Sequence, residues 1–160
     1  MIQRIVDASP LILLSKSGLL DLLRIEAQDV FVPEAVVREL RAHGLDDHAW
    51  RSVEHAPWIT RVPTPLIPAC VRGWGLGAGE SAVLALALEI TTCEVVLDDL
   101  QARRRATEAG IPVRGSVGIV LLAKNRGAIT EARPALARLR QVGLFLSDAL
   151  TDETLKLVGE

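Results

Sequence analysis

Apolar residues in this chain fall into short blocks separated by polar punctuation, and the spacing within the blocks switches repeatedly between strand-like and helix-like. Residues 2–6 form a short apolar-rich run ending at Asp7 and read as a buried strand. Ser9-Pro10 then predicts a helix start, with Ser9 as N-cap and Pro10 in the first helical position. That helix should stop near Gly18, and residues 19–25 form a second short amphipathic piece. Residues 30–32 predict another strand, ended by Pro33, and residues 34–42 a helix closed by Gly44. Residues 45–71 are the least regular, rich in proline, with one strand expected at 58–62. The glycine-rich stretch 73–79 leads into Glu80, and residues 81–88 are almost wholly apolar, as in a helix buried on most sides. A strand at 95–97 ends in Asp98-Asp99, and a helix over about 100–109 places Ala102, Ala106 and Ala109 on one face. A short strand begins at Val113, followed by helices at 115–124 and 134–142, a strand at 144–146 and a helix at 148–158. Alternating strands and helices with short connections predict an α/β fold. The expected architecture is a three-layer α/β/α domain on a mainly parallel sheet, with residues 1–160 as one unit.

Composition narrows the function classes. Hydrophobic residues make up 49% and charged residues 24% of the 160 positions, so a folded globular domain is expected. Aromatics are only 3%, which leaves the core to Leu, Val, Ile and Ala. No apolar run is long enough to cross a bilayer, and the order of a signal peptide is missing, so the expected location is the cytoplasm. Cys70 and Cys93 lack a CxxC spacing and are expected to be two buried reduced thiols. His43, His48 and His55 have no fourth ligand at zinc spacing and read as solvated residues. A net charge of −2 gives no overall attraction for nucleic acid, so polyanion binding would need a local basic patch or a metal ion.

The acids carry the chemistry. In an open parallel sheet, ligands bind beyond the carboxyl ends of the strands. Asp7 and the pair Asp98-Asp99 fall at such ends, while Glu39 lies within a helix and Glu80 opens one. Each alone has a plain structural reading as a cap, a solvated helix residue or a complement to a helix dipole. Together they could gather three or four carboxylates at one rim, at a Coulomb cost of about a few kcal/mol per close pair. Such a cluster persists if some members stay protonated or a cation joins them. All-oxygen ligands suit Mg²⁺ or Mn²⁺, ions able to activate water for phosphoryl chemistry.

Five segments then point to a family. They are Val6-Asp7-Ala8-Ser9-Pro10-Leu11-Ile12, Val32-Pro33-Glu34-Ala35-Val36-Val37-Arg38-Glu39-Leu40 and Leu76-Gly77-Ala78-Gly79-Glu80-Ser81-Ala82. Val96-Leu97-Asp98-Asp99-Leu100-Gln101-Ala102-Arg103 and Gly115-Ser116-Val117-Gly118 complete the set. In this order and spacing the chain resembles the PIN-domain family, the fold of VapC-like toxin ribonucleases, over essentially its whole length. It is most similar to a subgroup of PIN-like nucleic-acid-binding proteins that carries GAGE and LDD motifs. The resemblance implies metal ligation and catalysis by Asp7, Glu39, Glu80 and Asp99, with Asp98 as alternative or supplement. It implies Mg²⁺ or Mn²⁺ as cofactor and hydrolysis of RNA phosphodiester bonds, as the toxin of a type II toxin–antitoxin pair. It further implies a homodimer and a cognate antitoxin. Many toxins carry Asp where this chain has Glu80, a side chain one methylene longer that can still ligate.

Ser9, Arg103 and Ser116 are the candidate substrate contacts. Ser9 stands beside the first acid, and Arg103 lies one helical turn beyond Asp98-Asp99. Arg104 and Glu108 have the spacing of a surface pair. The glycine-rich stretch fails as a dinucleotide motif, because Glu80 stands where the third glycine of GxGxxG belongs. It reads better as a hinge delivering Glu80. The rival to a nuclease is a non-catalytic PIN-fold module that binds nucleic acid or protein.

Overall fold

The computed structural model describes residues 1–160. Its short β-branched runs become five parallel strands: β1 (Ile2–Val6), β2 (Ala27–Pro33), β3 (Ile59–Val62), β4 (Cys93–Val96) and β5 (Val113–Arg114). They lie in the order β3-β2-β1-β4-β5. From β1 the chain steps outward through β2 to β3, then crosses back to β4 and continues to β5 on the other side. The direction of winding therefore reverses between β1 and β4, which pair with Val6 opposite Val96. A crevice forms at such a reversal, beyond the carboxyl ends of the two strands.

Nine α-helices flank this sheet: α1 (Ala8–Lys16), α2 (Glu34–Ala42), α3 (His48–Glu54), α4 (Ala69–Arg72), α5 (Ala78–Glu89), α6 (Leu100–Glu108), α7 (Ser116–Asn125), α8 (Ala132–Gln141) and α9 (Asp148–Lys156). A 3₁₀ turn at Leu20–Arg24 is the short piece after the first helix. All four residues of β4 are buried, so a continuous apolar run suits it better than an alternating one. In α5 most side chains are small, and Ala82, Val83, Leu84, Ala85 and Ala87 are all buried. No helix is long and apolar enough to cross a membrane.

Several local expectations differ from the structure. Helix α1 begins at Ala8, with Asp7 in the N-cap position, so Ser9 is an exposed first-turn residue and Pro10 is the third helical residue, not the first. Two helices emerge from the irregular stretch. Asp47 starts α3 by accepting hydrogen bonds from the backbone N–H groups of Ala49 and Trp50, and α4 is a single turn. Residues 144–146 form no strand: Leu146 is buried while Phe145 is 96% exposed. Cys93 is buried as expected, but Cys70 is exposed on α4. The surface pair on α6 joins Arg105 to Glu108 at 3.0 Å, leaving Arg104 out.

One polar group is buried where pattern reading sees only a strand. Arg4 in β1 is 1% exposed and meets Glu94, its direct cross-strand partner in β4, at 2.9 Å. It also donates to the carbonyl oxygens of Leu23 and Ile25, tying down the 3₁₀ turn. The other Glu94 oxygen accepts from Arg114 Nε of β5 at 2.8 Å. A buried charge is tolerable only when its donors and acceptors are met in this way.

Candidate functional site

The crevice between β1 and β4 collects the acids that the sequence had scattered over more than 90 residues. Asp7 follows β1 directly, its backbone N–H donating to Val96 O of β4 at 3.1 Å. Its carboxylate is only 4% exposed, and Oδ1 is buried with no hydrogen-bond partner. Burial raises this carboxyl from 3.8 to about 7, opposed by the backbone N–H of Ala8 and reinforced by the charges of Glu80, Glu39 and Asp98. An unpaired buried carboxylate oxygen surrounded by other acids is costly unless something else satisfies it.

Glu39 and Glu80 reach the same crevice from two helices. Glu39 comes from α2, and its Oε1 accepts from the backbone N–H of Gly79 at 2.8 Å, in the first turn of α5. A Cβ on Gly79 would fall 2.7 Å from that oxygen, so the glycine serves a close approach of α5 to the Glu39 carboxylate. The hinge expected of the glycine-rich stretch is in part this contact. Glu80 Oε2 accepts from the Gly77 N–H at 3.3 Å, folding the side chain back over the start of α5. Its carboxyl is also held above the ordinary value, mainly by burial, with Asp99 and Glu39 adding to the effect. Asp7, Ser9, Glu39, Glu80 and His43 line a cavity of about 370 Å³.

The doubled aspartate divides its tasks. Asp98 Oδ1 accepts from the Ser116 backbone N–H at 2.7 Å and Oδ2 from the Ser116 hydroxyl at 2.6 Å. Asp99 caps α6, with Oδ1 accepting from the Ala102 N–H at 2.9 Å, and is exposed. Ser116 is fully buried with its hydroxyl spent on Asp98, so it touches the acid and not the solvent where a substrate would lie. Ser9 is exposed in the cavity wall. Arg103 is exposed on α6, and its Nη1 comes within 3.4 Å of where a Gly115 Cβ would stand, close to Asp98.

The candidate donor set suits a hard divalent cation: every candidate ligand is a carboxylate, and the buried Asp7 Oδ1 has no partner. In this arrangement, however, no three of the acids close around a common point. His43 is a titratable cavity residue that pattern reading missed as a site neighbour. It sits at the C-cap of α2, four residues after Glu39, and i,i+4 spacing on a helix was the signal that could have placed it.

A parallel sheet whose winding reverses over a crevice lined by acids is the arrangement expected of a PIN-type domain. The family model DUF3368, described as a PIN domain, matches residues 3–160, and the chain belongs to this family. PIN domains are generally nucleases, hydrolases that typically use divalent metals. No curated protein matches the chain.

Proposed function

We propose that this chain is a metal-dependent endoribonuclease, and that Asp7, Glu39 and Glu80 hold Mg²⁺ or Mn²⁺ with Asp98 and Asp99 beside them. The observation that carries the reading is the unpartnered Asp7 oxygen, buried among acids at the reversal between β1 and β4. A bound divalent ion would supply an activated water and offset charge on the phosphoryl oxygens.

The chain's own residues do the rest. Asp7 has no neighbour to satisfy Oδ1 and stays protonated until about pH 7, so its carboxylate is available to a cation above that pH and much less below it. Gly79 orients Glu39 and Gly77 orients Glu80 through backbone N–H donation. Ser116 aims Asp98 by two hydrogen bonds, acting on the acid and not on RNA. Ser9 in the cavity wall and Arg103 beyond Asp98 contact the RNA backbone. A phosphodiester in the cavity is attacked in line by water, and the bond to the departing ribose oxygen breaks.

The decisive experiment is cleavage of a mixed single-stranded RNA pool in Mg²⁺ or Mn²⁺, with EDTA and Asp7→Asn controls. Metal-dependent cutting that disappears in both controls supports the assignment; normal cutting by folded Asp7→Asn removes Asp7 from it. The same reading makes the protein the toxin of a type II pair, a cytoplasmic homodimer restrained by a cognate antitoxin. Growth arrest on induction, absent for Asp7→Asn, tests that extension. A second reading, a non-catalytic PIN-fold binding module, is favoured by the lack of three convergent acids and by the Asp98 oxygens being taken. It gains ground if the folded, metal-bound protein retains RNA and cuts nothing.

A further inference from the structure

Bordered by Asp98, and sharing no lining residue with the acid cavity, lies an open groove of about 560 Å³, within the size range of small-molecule sites. Its walls are mostly apolar, and three are strongly exposed: Phe145 at 96%, Leu157 at 75% and Leu150 at 48%. At the end nearest the acids stand Asp98 and Arg103. A Cβ on Gly115 would lie 3.1 Å from Asp98 Oδ1 and 3.4 Å from Arg103 Nη1, so the glycine keeps the floor open between them. Arg103 nonetheless makes no ion pair with Asp98, whose two oxygens are spent on Ser116, and its guanidinium is free for an anion.

An apolar slot with a free cation at its mouth, running into a cluster of acids, defines an occupant. It must carry a flat apolar face, a negative charge one link away, and a continuation toward the site beyond Asp98. A nucleotide of single-stranded RNA joins these three features in one unit. We propose that this groove is a base subsite, in which an unpaired base next to the scissile phosphate stacks on Phe145 while Arg103 binds the adjoining phosphate. This rests on the ribonuclease reading and deepens it: the subsite selects single strands, because a base held in a duplex cannot be splayed onto Phe145.

The position of Phe145 makes the test clean, since removing a side chain that is 96% exposed takes nothing from the core. Affinity for a labelled mixed-sequence single-stranded RNA is measured by fluorescence anisotropy in Ca²⁺, beside sedimentation of the free protein and its melting temperature with and without Mn²⁺. Phe145→Ala should weaken RNA binding on the order of 10-fold, Phe145→Trp should restore it, and Arg103→Ala should weaken it as well. Sedimentation and the Mn²⁺-induced rise in melting temperature should not change. Unaltered affinity in Phe145→Ala overturns the subsite and leaves metal-dependent cleavage standing. A change in sedimentation with RNA affinity unchanged also overturns it, by showing that the groove holds another protein chain. If the wild-type protein binds no single-stranded RNA, the subsite fails together with the ribonuclease reading.

Discussion

Replacing Asp7 by asparagine should make the metal-free protein more stable, and the gain should depend on pH. The unfolded chain releases the Asp7 proton near 3.8, whereas the fold holds it until about 7. Below the lower value both states are protonated and Asp7 costs nothing. Between the two, the unfolded chain is ionised while the fold is not, so stability falls as pH rises; above about 7 the full cost is present. That cost is about 4 kcal/mol at pH 8 and about 1.6 kcal/mol at pH 5. Asparagine cannot ionise, but its amide leaves a buried hydrogen bond unmade, which costs about 1–2 kcal/mol. Asp7→Asn should therefore exceed the wild type by about 2–3 kcal/mol at pH 8 and match it near pH 5. Urea denaturation in EDTA at the two pH values reads this directly. Adding millimolar Mn²⁺ at pH 8 should stabilise the wild type alone, because only its carboxylate binds the ion in the folded state. A difference between the proteins that is the same at both pH values would refute the argument, since the buried charge would then not be its source.

Three further substitutions probe the surrounding structure. Ser116→Ala removes the 2.6 Å hydroxyl bond to Asp98 and should cost about 1–3 kcal/mol in thermal denaturation, with weaker Mn²⁺ binding. Gly79→Ala places a methyl 2.7 Å from Glu39 Oε1, and the end of that flexible side chain must move. Stability should change little while RNA cleavage drops; retained cleavage with full metal affinity would show that the Glu39 position is not needed. Glu94→Ala strands Arg4 in the interior and should cost about 3–5 kcal/mol in urea denaturation, with a small loss counting against a buried ion pair.

The parts of the fold visible in the sequence were those with strong local signals. The apolar runs ending in Asp7 and Asp98, the helix from Glu34 to Ala42 and the small-residue helix after Glu80 all carry their pattern within a few residues. Helix α3 was lost because only Ala49, Trp50 and Val53 are buried in a polar segment, although Asp47 at its start is a recognisable cap. The apolar trio 144–146 looks like a strand, but strand formation needs an edge to pair with, and β5 is only two residues long. The acids could be named from the chain, yet their division of labour could not. Asp98 and Asp99 differ by which distant group each meets: Ser116, 18 residues on, or the helix beginning beside it. The Arg4–Glu94 pair spans 90 residues and leaves no local trace at all.

That buried pair also acts as a gauge for the crevice. Arg4 and Glu94 face each other across β1 and β4, three residues before Asp7 and four before Asp98. A slip of one residue between the strands would set Arg4 opposite Cys93 or Val95, leaving both charges unmatched in the interior at a cost of several kcal/mol. The same slip would carry Asp7 about 3.3 Å along the strand relative to Asp98, enough to spoil any shared ligand. The spacing of the acids is thus metered by an ion pair that never touches them. A core redesigned with apolar residues at Arg4, Glu94 and Arg114 could be as stable or more so and still lose the alignment on which the crevice depends.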